Sequence, residues 1–345
     1  MKAFHGALCV AAALAAGATG SVSHAADYYA GKQVSIYVGS SPGGGYDGYA
    51  RLLSRHWGRL IAGNPNFLIK NMPGASSLKA MNYVSNVAPK DGTAIAAVQN
   101  GVALEPLLQT MGAKNRAEFD PAKINWIGAV TREVALVVTW HTSPFKTFAD
   151  VQKSEMIGGA AGANTDDAVF SRLMNATIGT KIKVVQGYKG SSEMMIALEK
   201  GEIQAMPGWN YSSLSSQRPQ WLSGKLVRIL AQNAMQKHPA LQDVPLAVDF
   251  ARDAESRQVM ELISSRLDLG RPYLAPPAIP EERLKDLRGS FVAMMKDQKF
   301  NADATKAHFE INPLSPEQCA AVVKAAYAMP KSVVDKAREI LIARK

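Results

Sequence analysis

The most informative segment of this chain is Val34-Ser35-Ile36-Tyr37-Val38-Gly39-Ser40-Ser41-Pro42-Gly43-Gly44-Gly45-Tyr46-Asp47. Its β-branched and aromatic beginning predicts a strand, and its run of glycines predicts a turn, because glycine adopts backbone angles that other residues avoid. From Tyr46 to about Ile61 the apolar residues recur at helical spacing and predict a helix. The predicted buried face of that helix consists of Ala50, Leu53, Trp57, Leu60 and Ile61.

A strand, a glycine-rich turn and a helix in this order are typical of anion sites in α/β proteins. The first N–H groups of the helix lack internal partners, and the helix dipole is positive at that end. The turn lacks the Gly-Lys-Ser/Thr ending of a P-loop and the G-x-G-x-x-G spacing of a dinucleotide site. Two interpretations stay open: a site for a carboxylate or phosphate, or a tight connection without a ligand.

Residues 1–25 are predicted to form a secretory signal peptide. Lys2 precedes an apolar run over residues 7–16, and Ser23 and Ala25 supply the small residues of a cleavage site. The run is too short for a permanent anchor, and no later stretch approaches about 18 uninterrupted apolar residues. We therefore expect an exported protein of the periplasm.

The composition favours binding of small anions over several other functions. The formal net charge of +10 is spread along the chain without a Lys/Arg run, which argues against a nucleic-acid partner. Cys9 lies in the predicted signal peptide, so Cys319 is left without an intrachain partner and is predicted to be a buried apolar residue. The histidines after the signal peptide have no metal-binding spacing, so no metal or other cofactor is expected.

Short β-rich runs alternate with helical stretches, which is typical of α/β proteins with largely parallel sheets. The length suits two domains, which we predict as one lobe of residues 26–128 and 233–345 and a second lobe of residues 129–232. A strand of the second lobe is predicted over 201–206, and Arg271-Pro272-Tyr273 is predicted to be an irregular connection.

A second turn of small residues lies in the predicted second lobe, in the segment Gly158-Gly159-Ala160-Ala161-Gly162-Ala163-Asn164-Thr165-Asp166-Asp167. If the two turns face each other across a cleft, their backbone N–H groups would hold the two ends of a small anion. Tyr46, Tyr188 and Trp209, at the predicted strand ends, would form the walls of that cleft. For Trp209, packing in the core is an equally open interpretation.

Catalytic patterns are weak in this sequence. Asp166 and Asp167 form a carboxylate pair, but adjacent acidic residues at a helix start are more typical of caps and dipole partners. Asp47 has the same interpretation, and no G-x-S-x-G motif is present. An exported enzyme, a hydrolase with Asp47 or Asp166 as base, remains the alternative to a binding protein.

Several short motifs together resemble the Bug family, the extracytoplasmic solute receptors of tripartite tricarboxylate transporters. The resemblance covers nearly the whole chain after the signal peptide. The motifs are Pro42-Gly43-Gly44-Gly45-Tyr46-Asp47 with Ala50-Arg51, Asn71-Met72-Pro73-Gly74-Ala75, Pro89-Lys90-Asp91-Gly92-Thr93, Gly187-Tyr188-Lys189-Gly190, Gly201-Glu202-Ile203, Asp243-Val244-Pro245 and Ala275-Pro276-Pro277.

The resemblance implies an α/β fold of type II periplasmic-binding-protein topology, with a ligand cleft between two lobes joined by a strand hinge. It implies carboxylate ligands: di- and tricarboxylic acids, amino acids or aromatic acids. The implied ligand contacts are Ser41, Gly43, Gly44, Gly45, Tyr46, Asp47, Ala75, Ser76, Gln99 and Asn100 in the first lobe, and Gly162, Ala163, Asn164, Thr165, Asp166 and Tyr188 in the second.

Two departures from the family pattern bear on specificity. The family's second-lobe loop commonly runs small-Gly-x-Gly-Ser/Thr, whereas this chain has Ala161-Gly162-Ala163-Asn164-Thr165-Asp166-Asp167, whose two carboxylates could repel a second ligand carboxylate or act as caps. Ser76-Ser77 replaces the family's usual glycine pair. A monocarboxylate, or a ligand with an amino or hydroxyl group near Asp166, therefore becomes more credible than citrate.

The sequence thus predicts a monomeric receptor, not an enzyme, that captures a small organic acid and delivers it to membrane permease subunits. A ligand-binding partner of a signalling system is the alternative on the same fold. The sequence alone does not separate transport from signalling.

Overall fold

The computed structural model of the protein describes residues 28–110, 112 and 115–342. The predicted signal peptide of residues 1–25 lies outside the described residues. No helix of the described part of the chain is long and apolar enough to cross a membrane.

The described strands form two five-stranded sheets. The first has the order β2-β1-β3-β10-β4 and the second the order β7-β6-β8-β5-β9. The strands are β1 (Gln33–Val38), β2 (Asn66–Asn71), β3 (Ala94–Ala97), β4 (Asn125–Ala129), β5 (Ala135–Trp140), β6 (Met156–Ala160), β7 (Ile182–Gln186), β8 (Ala205–Asn210), β9 (Val227–Asn233) and β10 (Pro272–Ala275).

Parallel pairing brings the ends of several strands to one edge of each sheet. In the first sheet β1 lies parallel to both β2 and β3, with Ile36 opposite Ile69 and Ile95. In the second sheet β6 lies parallel to β7 and β8. The loops after β1, β2 and β3 therefore lie together, as the sequence predicts, and those after β6, β7 and β8 do the same.

The helices cover the faces of the two sheets. They are α1 (Gly45–Trp57), α2 (Leu78–Asn86), α3 (Glu105–Leu108), α4 (Phe148–Lys153), α5 (Asp166–Thr177), α6 (Ser191–Glu199), α7 (Tyr211–Gln217), α8 (Pro219–Ser223), α9 (Ala254–Leu269), α10 (Glu281–Met295), α11 (Gln298–Lys306), α12 (Pro316–Tyr327) and α13 (Lys331–Ile342).

Helix α1 is fixed by the apolar face that its sequence predicts. Ala50, Leu53 and Trp57 have no exposed surface, and the Trp57 ring stacks on Phe67 of β2 at 5.2 Å. The Trp57 indole N–H also donates to Ser290 Oγ at 2.9 Å, which satisfies its polar atom inside the core. The α-helix ends at Trp57, and a 3-10 turn follows, so the helix is shorter than predicted.

Late helices of the chain pack against the second sheet. Val259 and Leu267 of α9 and Ala337 of α13 belong to the same buried apolar cluster as Val137 of β5 and Phe170 of α5. The sequence assigns residues 233–345 to the first lobe, and this division, like the one at 128/129, stays a prediction.

Two predictions about the strands are wrong, and the observed strand contains a proline in each case. The strand predicted over 201–206 is β8, which begins only at Ala205 and contains Pro207. Pro207 is tolerated because the pairing of β8 with β5 shifts register there, at a bulge. The predicted irregular connection Arg271-Pro272-Tyr273 contains the start of β10, and Pro272 is its first residue, where a missing N–H does no harm.

The chain passes between the sheets through two neighbouring segments, one after β4 and one before β10. The Val130 N–H donates to the Arg271 carbonyl at 3.1 Å, and the Arg271 N–H donates to the Thr131 carbonyl at 3.2 Å. Gly270 has a φ of +44°, and a Cβ there would lie 1.9 Å from the Thr131 carbonyl oxygen. Only glycine fits this close approach. The two paired segments, residues 130–133 and 270–271, are called the hinge below.

Candidate anion-binding cleft

A cleft of about 480 Å³ lies between the two sheets, at the ends of the parallel strands. Both predicted turns line it, together with the loops after β2 and β3. The predicted site residues that line it are Ser41, Gly44, Gly45, Tyr46, Ala75, Ser76, Gln99, Gly162, Ala163, Thr165, Asp166 and Trp209. The turns thus share one crevice, which the ligand hypothesis requires.

The glycine turn presents unpaired backbone donors at the start of α1. Gly43 has a φ of +81°, and Gly44, the cap residue, is extended. Four backbone N–H groups donate no hydrogen bond to any described residue: those of Gly44, Gly45, Tyr46 and Asp47. This first turn therefore offers free donors beside the positive end of the dipole.

Asp47, a predicted ligand contact, is instead turned into the loop that it supports. Its carboxylate accepts hydrogen bonds from the Gly43 N–H at 2.9 Å, Arg51 Nε at 2.8 Å and Asn71 Nδ2 at 2.9 Å. Burial raises the pKa of Asp47, but these hydrogen bonds outweigh it and the pKa lies below its usual value. Neither Asp47 nor Gly43 lines the cleft between the lobes; both line a separate depression on the other side of the turn.

The loop after β2 reaches the cleft in a left-handed conformation. Ala75, Ser76 and Ser77 have φ values of +46°, +50° and +75°. Ser77 Oγ donates to the Gly39 carbonyl at 2.7 Å and accepts from the Gln99 N–H at 3.2 Å. One serine thus joins the three loops of the first lobe, a role that its own position in the sequence did not indicate.

In the second lobe, Asp166 is held by side chains from elsewhere in the chain. Its carboxylate lies 3.2 Å from Arg266 Nε and accepts hydrogen bonds from Asn100 Nδ2 at 3.3 Å and Asn210 Nδ2 at 3.4 Å. Asn100 is 1% exposed and does not line the cleft. The charge of Asp166 is therefore compensated by Arg266 before any ligand arrives.

Asp167 lines the cleft beside Asp166 and has a different electrostatic state. Burial and the neighbouring Asp166 charge raise the pKa of Asp167 to about 7. Its Oδ1 accepts a hydrogen bond from the Gly208 N–H at 3.3 Å. A large fraction of Asp167 is thus protonated near neutral pH, which lowers the repulsion of a bound anion that two adjacent carboxylates would otherwise cause.

The start of α6 also lies at the cleft, which the sequence did not predict. Gly190, Ser191 and Ser192, at the beginning of α6, line the cleft, as do Lys189 and Glu193. Tyr188, the predicted contact from this loop, does not line it and packs on the apolar cluster of the second lobe. A glycine followed by two serines before an apolar helical run was the signal that could have found this site.

The starts of helices α1, α2, α5 and α6 all meet at the cleft, because each follows a strand whose loop lines it. Each helix N-terminus carries about half a positive elementary charge. Two potential donors in the lining, the buried Ser40 Oγ and Trp209 Nε1, have no hydrogen-bond partner among the described residues. The cleft is thus built to receive oxygen atoms of an anion.

Hydrogen bonds across the cleft hold the two lobes together. Ser76 Oγ accepts from the Asn164 N–H at 3.2 Å, and Ser192 Oγ donates to the Gly43 carbonyl at 3.0 Å. The Asn164 amide side chain donates to Glu105 Oε2 at 2.9 Å and does not line the main cleft. Asn164 therefore lies at a contact between loops, and the arrangement described is a closed one.

A buried ion pair at the hinge also reaches the cleft. Arg271 lines it, and its Nε lies 2.7 Å from Glu133 Oε1. The two side chains are 2% and 1% exposed. Neither residue was predicted as a site residue, because they are far apart in sequence and belong to no motif.

The geometry gives no support to a catalytic carboxylate at Asp47 or Asp166, since each is paired with an arginine. Within the described ranges no group of at least three His, Cys, Asp or Glu side chains could hold a metal ion. What the cleft offers chemically is backbone donor groups at helix starts and the side chains of Lys189 and Arg271.

Residues 59–338 match the model of the tripartite tricarboxylate transporter family receptor, TctC. The chain belongs to this receptor family. This confirms the resemblance inferred from the motifs.

Several solved structures share the fold of this chain. They include a periplasmic binding protein named BugD (TM-score 0.72, 18% identity, covering 92% of this chain and 100% of that one). R. palustris Rpa4515 with adipate has a TM-score of 0.68 at 21% identity over 89% of this chain and 97% of that one. MatC from Rhodopseudomonas palustris with bound malate has a TM-score of 0.67 at 17% identity over 90% and 99%. The predicted two-lobed periplasmic-binding-protein fold is confirmed.

Two relatives at the sequence level carry no description of function. A UPF0065 protein from the tcbD-tcbE intergenic region of Pseudomonas sp. (strain P51) is 25% identical over 76% of this chain and 79% of that protein. A UPF0065 protein from the TAR-I ttuE-ttuC' intergenic region of Agrobacterium vitis is 30% identical over 53% of this chain and 52% of its own length.

Proposed function

We propose that this receptor captures a small organic carboxylate in the periplasm and delivers it to the permease subunits of a tripartite tricarboxylate transporter. The observation that carries the proposal is the meeting of helix starts α1, α2, α5 and α6 around one cleft. Similar solved structures contain adipate and malate. Each is a small carboxylate of a size that a cleft of about 480 Å³ accommodates.

The proposal also includes the export of the receptor, its oligomeric state and the fate of the ligand. Residues 1–25 direct export and are removed, the receptor acts as a monomer without metal or cofactor, and the ligand leaves chemically unchanged. The cleft binds through backbone N–H groups and hydroxyls, which stabilise a carboxylate without transferring protons. Closure of the lobes traps the ligand because the closed form has the higher affinity.

A thermal-shift screen of organic acids tests the ligand class. A ligand that binds only the folded state raises the free energy of unfolding by about 2.7 kcal/mol at a hundredfold excess over Kd. We expect stabilisation by one or more of adipate, malate, succinate and benzoate. Stabilisation by sugars or metal ions alone would overturn the carboxylate proposal, and conversion of the acid, seen by mass spectrometry, would overturn the receptor role.

The variant Gly44→Val tests the place of binding. Gly44 has φ −82° and ψ 172°, which valine adopts, and a Cβ there meets nothing closer than 3.7 Å. The variant is expected to fold but to lose binding, because a branched side chain fills the turn where the free N–H groups lie. Gly289→Val on α10, where a Cβ meets open space, is the control. A folded Gly44→Val variant with the wild-type Kd would contradict this site.

A further inference from the structure

Arg271 has one edge of its guanidinium group free at the cleft. Its Nε is paired with Glu133 at 2.7 Å, and its Nη2 donates to Ser213 Oγ at 2.7 Å and Ser212 Oγ at 3.1 Å. Its Nη1 donates to no residue in the described part of the chain. Since the side chain is 2% exposed and lines the cleft, the remaining donor is available to a molecule bound there.

The guanidinium group lies against the first turn of α1. The Arg271 Cζ atom is 4.2 Å from the centre of the Tyr46 ring. A Cβ at Gly45 would lie 2.9 Å from Arg271 Nη2, so the absence of a side chain at Gly45 allows the approach. The free backbone donors of Gly45 and Tyr46 and the free edge of Arg271 therefore occupy one end of the cleft.

The surroundings keep this cation charged and fixed. Burial lowers the pKa of Arg271, but the Glu133 carboxylate and the Tyr46 and Tyr49 hydroxyls outweigh burial, and the pKa is raised above its ordinary value. Glu133 and the two serines hold Nε and Nη2, which prevents the planar group from rotating. A guanidinium held in this way matches the geometry of a carboxylate.

We propose that Arg271 is a ligand-contacting, specificity-determining residue, whose Nη1 binds a ligand carboxylate together with the N–H groups at the start of α1. This inference rests on the proposed function and extends it. It assigns to the hinge end of the cleft the choice of an anionic carboxylate over a neutral amide or ester of the same shape. Glu133, Ser212 and Ser213 are positioning residues that orient the guanidinium group.

The experiment compares acids with their amides on wild-type protein and on the double variant Arg271→Gln/Glu133→Gln. Changing both residues removes the pair without leaving a buried charge unpaired. The probes are adipate, malate, succinate and benzoate with adipamide, malamide, succinamide and benzamide, measured by isothermal titration calorimetry. Removal of a charged hydrogen bond is expected to weaken binding of the acid by about tenfold to a hundredfold and to change amide binding by less than about threefold.

Arg283→Gln is the matched control, because Arg283 is also buried and cationic but does not line the cleft. It is expected to keep the wild-type ratio of acid to amide affinity. If the double variant keeps that ratio too, the inference about Arg271 fails while the proposed function stands. If wild-type protein binds none of the acids, the proposed function fails, and the inference fails with it.

A crystal structure of wild-type protein with the tightest-binding acid decides the question should the double variant not fold. The inference expects a carboxylate oxygen within about 3.2 Å of Arg271 Nη1. A carboxylate bound elsewhere in the cleft, with water or nothing at Nη1, would overturn it.

Discussion

Asp167 shows how burial can reverse the usual behaviour of an acidic residue at a helix start. In the first turn of α5 the dipole favours an ionised carboxylate. Burial and the adjacent Asp166 charge act in the opposite direction and raise the pKa of Asp167 to about 7. The neighbouring Asp166 instead has Arg266 at 3.2 Å. Two adjacent residues of one type therefore have different environments, which their shared position in the sequence does not reveal.

Asp167→Asn is expected to raise the free energy of unfolding, and more so at about pH 8 than at about pH 5. Because the folded-state pKa of Asp167 lies above the unfolded value, the folded state binds more protons between these pKa values. Its stability therefore falls as the pH rises through that range. The amide removes this penalty, which is about 1 to 4 kcal/mol once the pH exceeds 7. Urea unfolding at the two pH values measures the difference.

The control for this prediction is Asp249→Asn, since Asp249 is exposed. It is expected to change the free energy of unfolding by less than about 0.5 kcal/mol, because surface substitutions away from special features usually do. A wild-type pH profile in Asp167→Asn would show that the Asp167 carboxyl ionises in the folded state as it does in the unfolded chain.

At the scale of the element, the glycine turn contains two neighbouring positions with different requirements. A Cβ at Gly45 would lie 2.1 Å from Ser213 Oγ and 2.9 Å from Arg271 Nη2. At Gly44 the nearest described atoms would be 3.7 Å and 3.8 Å away. Gly45 is thus required for packing of α1 against the hinge and α7, whereas Gly44 is required only to leave the cleft open.

Gly45→Ala is therefore expected to lower the free energy of unfolding by about 1 to 3 kcal/mol, as overpacking does in other cores. Alanine forms helices better than glycine, so propensity alone predicts the opposite sign. Gly44→Ala is expected to change stability by less than about 0.5 kcal/mol. Urea denaturation of both variants measures the contrast, and a Gly45→Ala variant at least as stable as wild type would contradict the packing argument.

At the scale of the whole molecule, hydrogen bonds between opposing loops contribute to the closed arrangement, and two of them come from serine hydroxyls that can be removed singly or together. Ser76 meets the Asn164 N–H, and Ser192 meets the Gly43 carbonyl, at 3.2 Å and 3.0 Å. Each neutral hydrogen bond contributes about 0.5 to 1.5 kcal/mol net. Loss of both is therefore large enough to change the populations of open and closed forms.

The double variant Ser76→Ala/Ser192→Ala is expected to have a larger radius of gyration than wild type without ligand, measured by small-angle X-ray scattering. Its affinity for the acid that stabilises wild type is expected to fall by about fivefold to a hundredfold. Ser54→Ala, on the outer side of α1, serves as control because Ser54 Oγ bonds only the Arg51 carbonyl among described residues. Equal radii for wild type and the double variant would exclude a role of these bonds in closure.

Parts of the cleft could be predicted because they depend on short-range rules. Gly43 to Gly45 specify a turn, Ala50, Leu53 and Trp57 specify the buried face of α1, and both follow from residues close in sequence. The second turn at Gly162 was predicted for the same reason. That it faces the first turn across one cleft was a hypothesis, because nothing local in the sequence specifies how the two sheets are oriented.

The α/β class, the two small-residue turns and the apolar faces of the helices can be derived from the amino-acid sequence, because local backbone preferences and periodicity encode them. The pairing of Arg271 with Glu133, the three loops joined by Ser77 and the position of the α6 start at the cleft become known only from the folded chain. Arg271 and Glu133 are 138 positions apart. Nothing near either residue specifies the partner, because such contacts form only when the sheets, the hinge and the helices pack together.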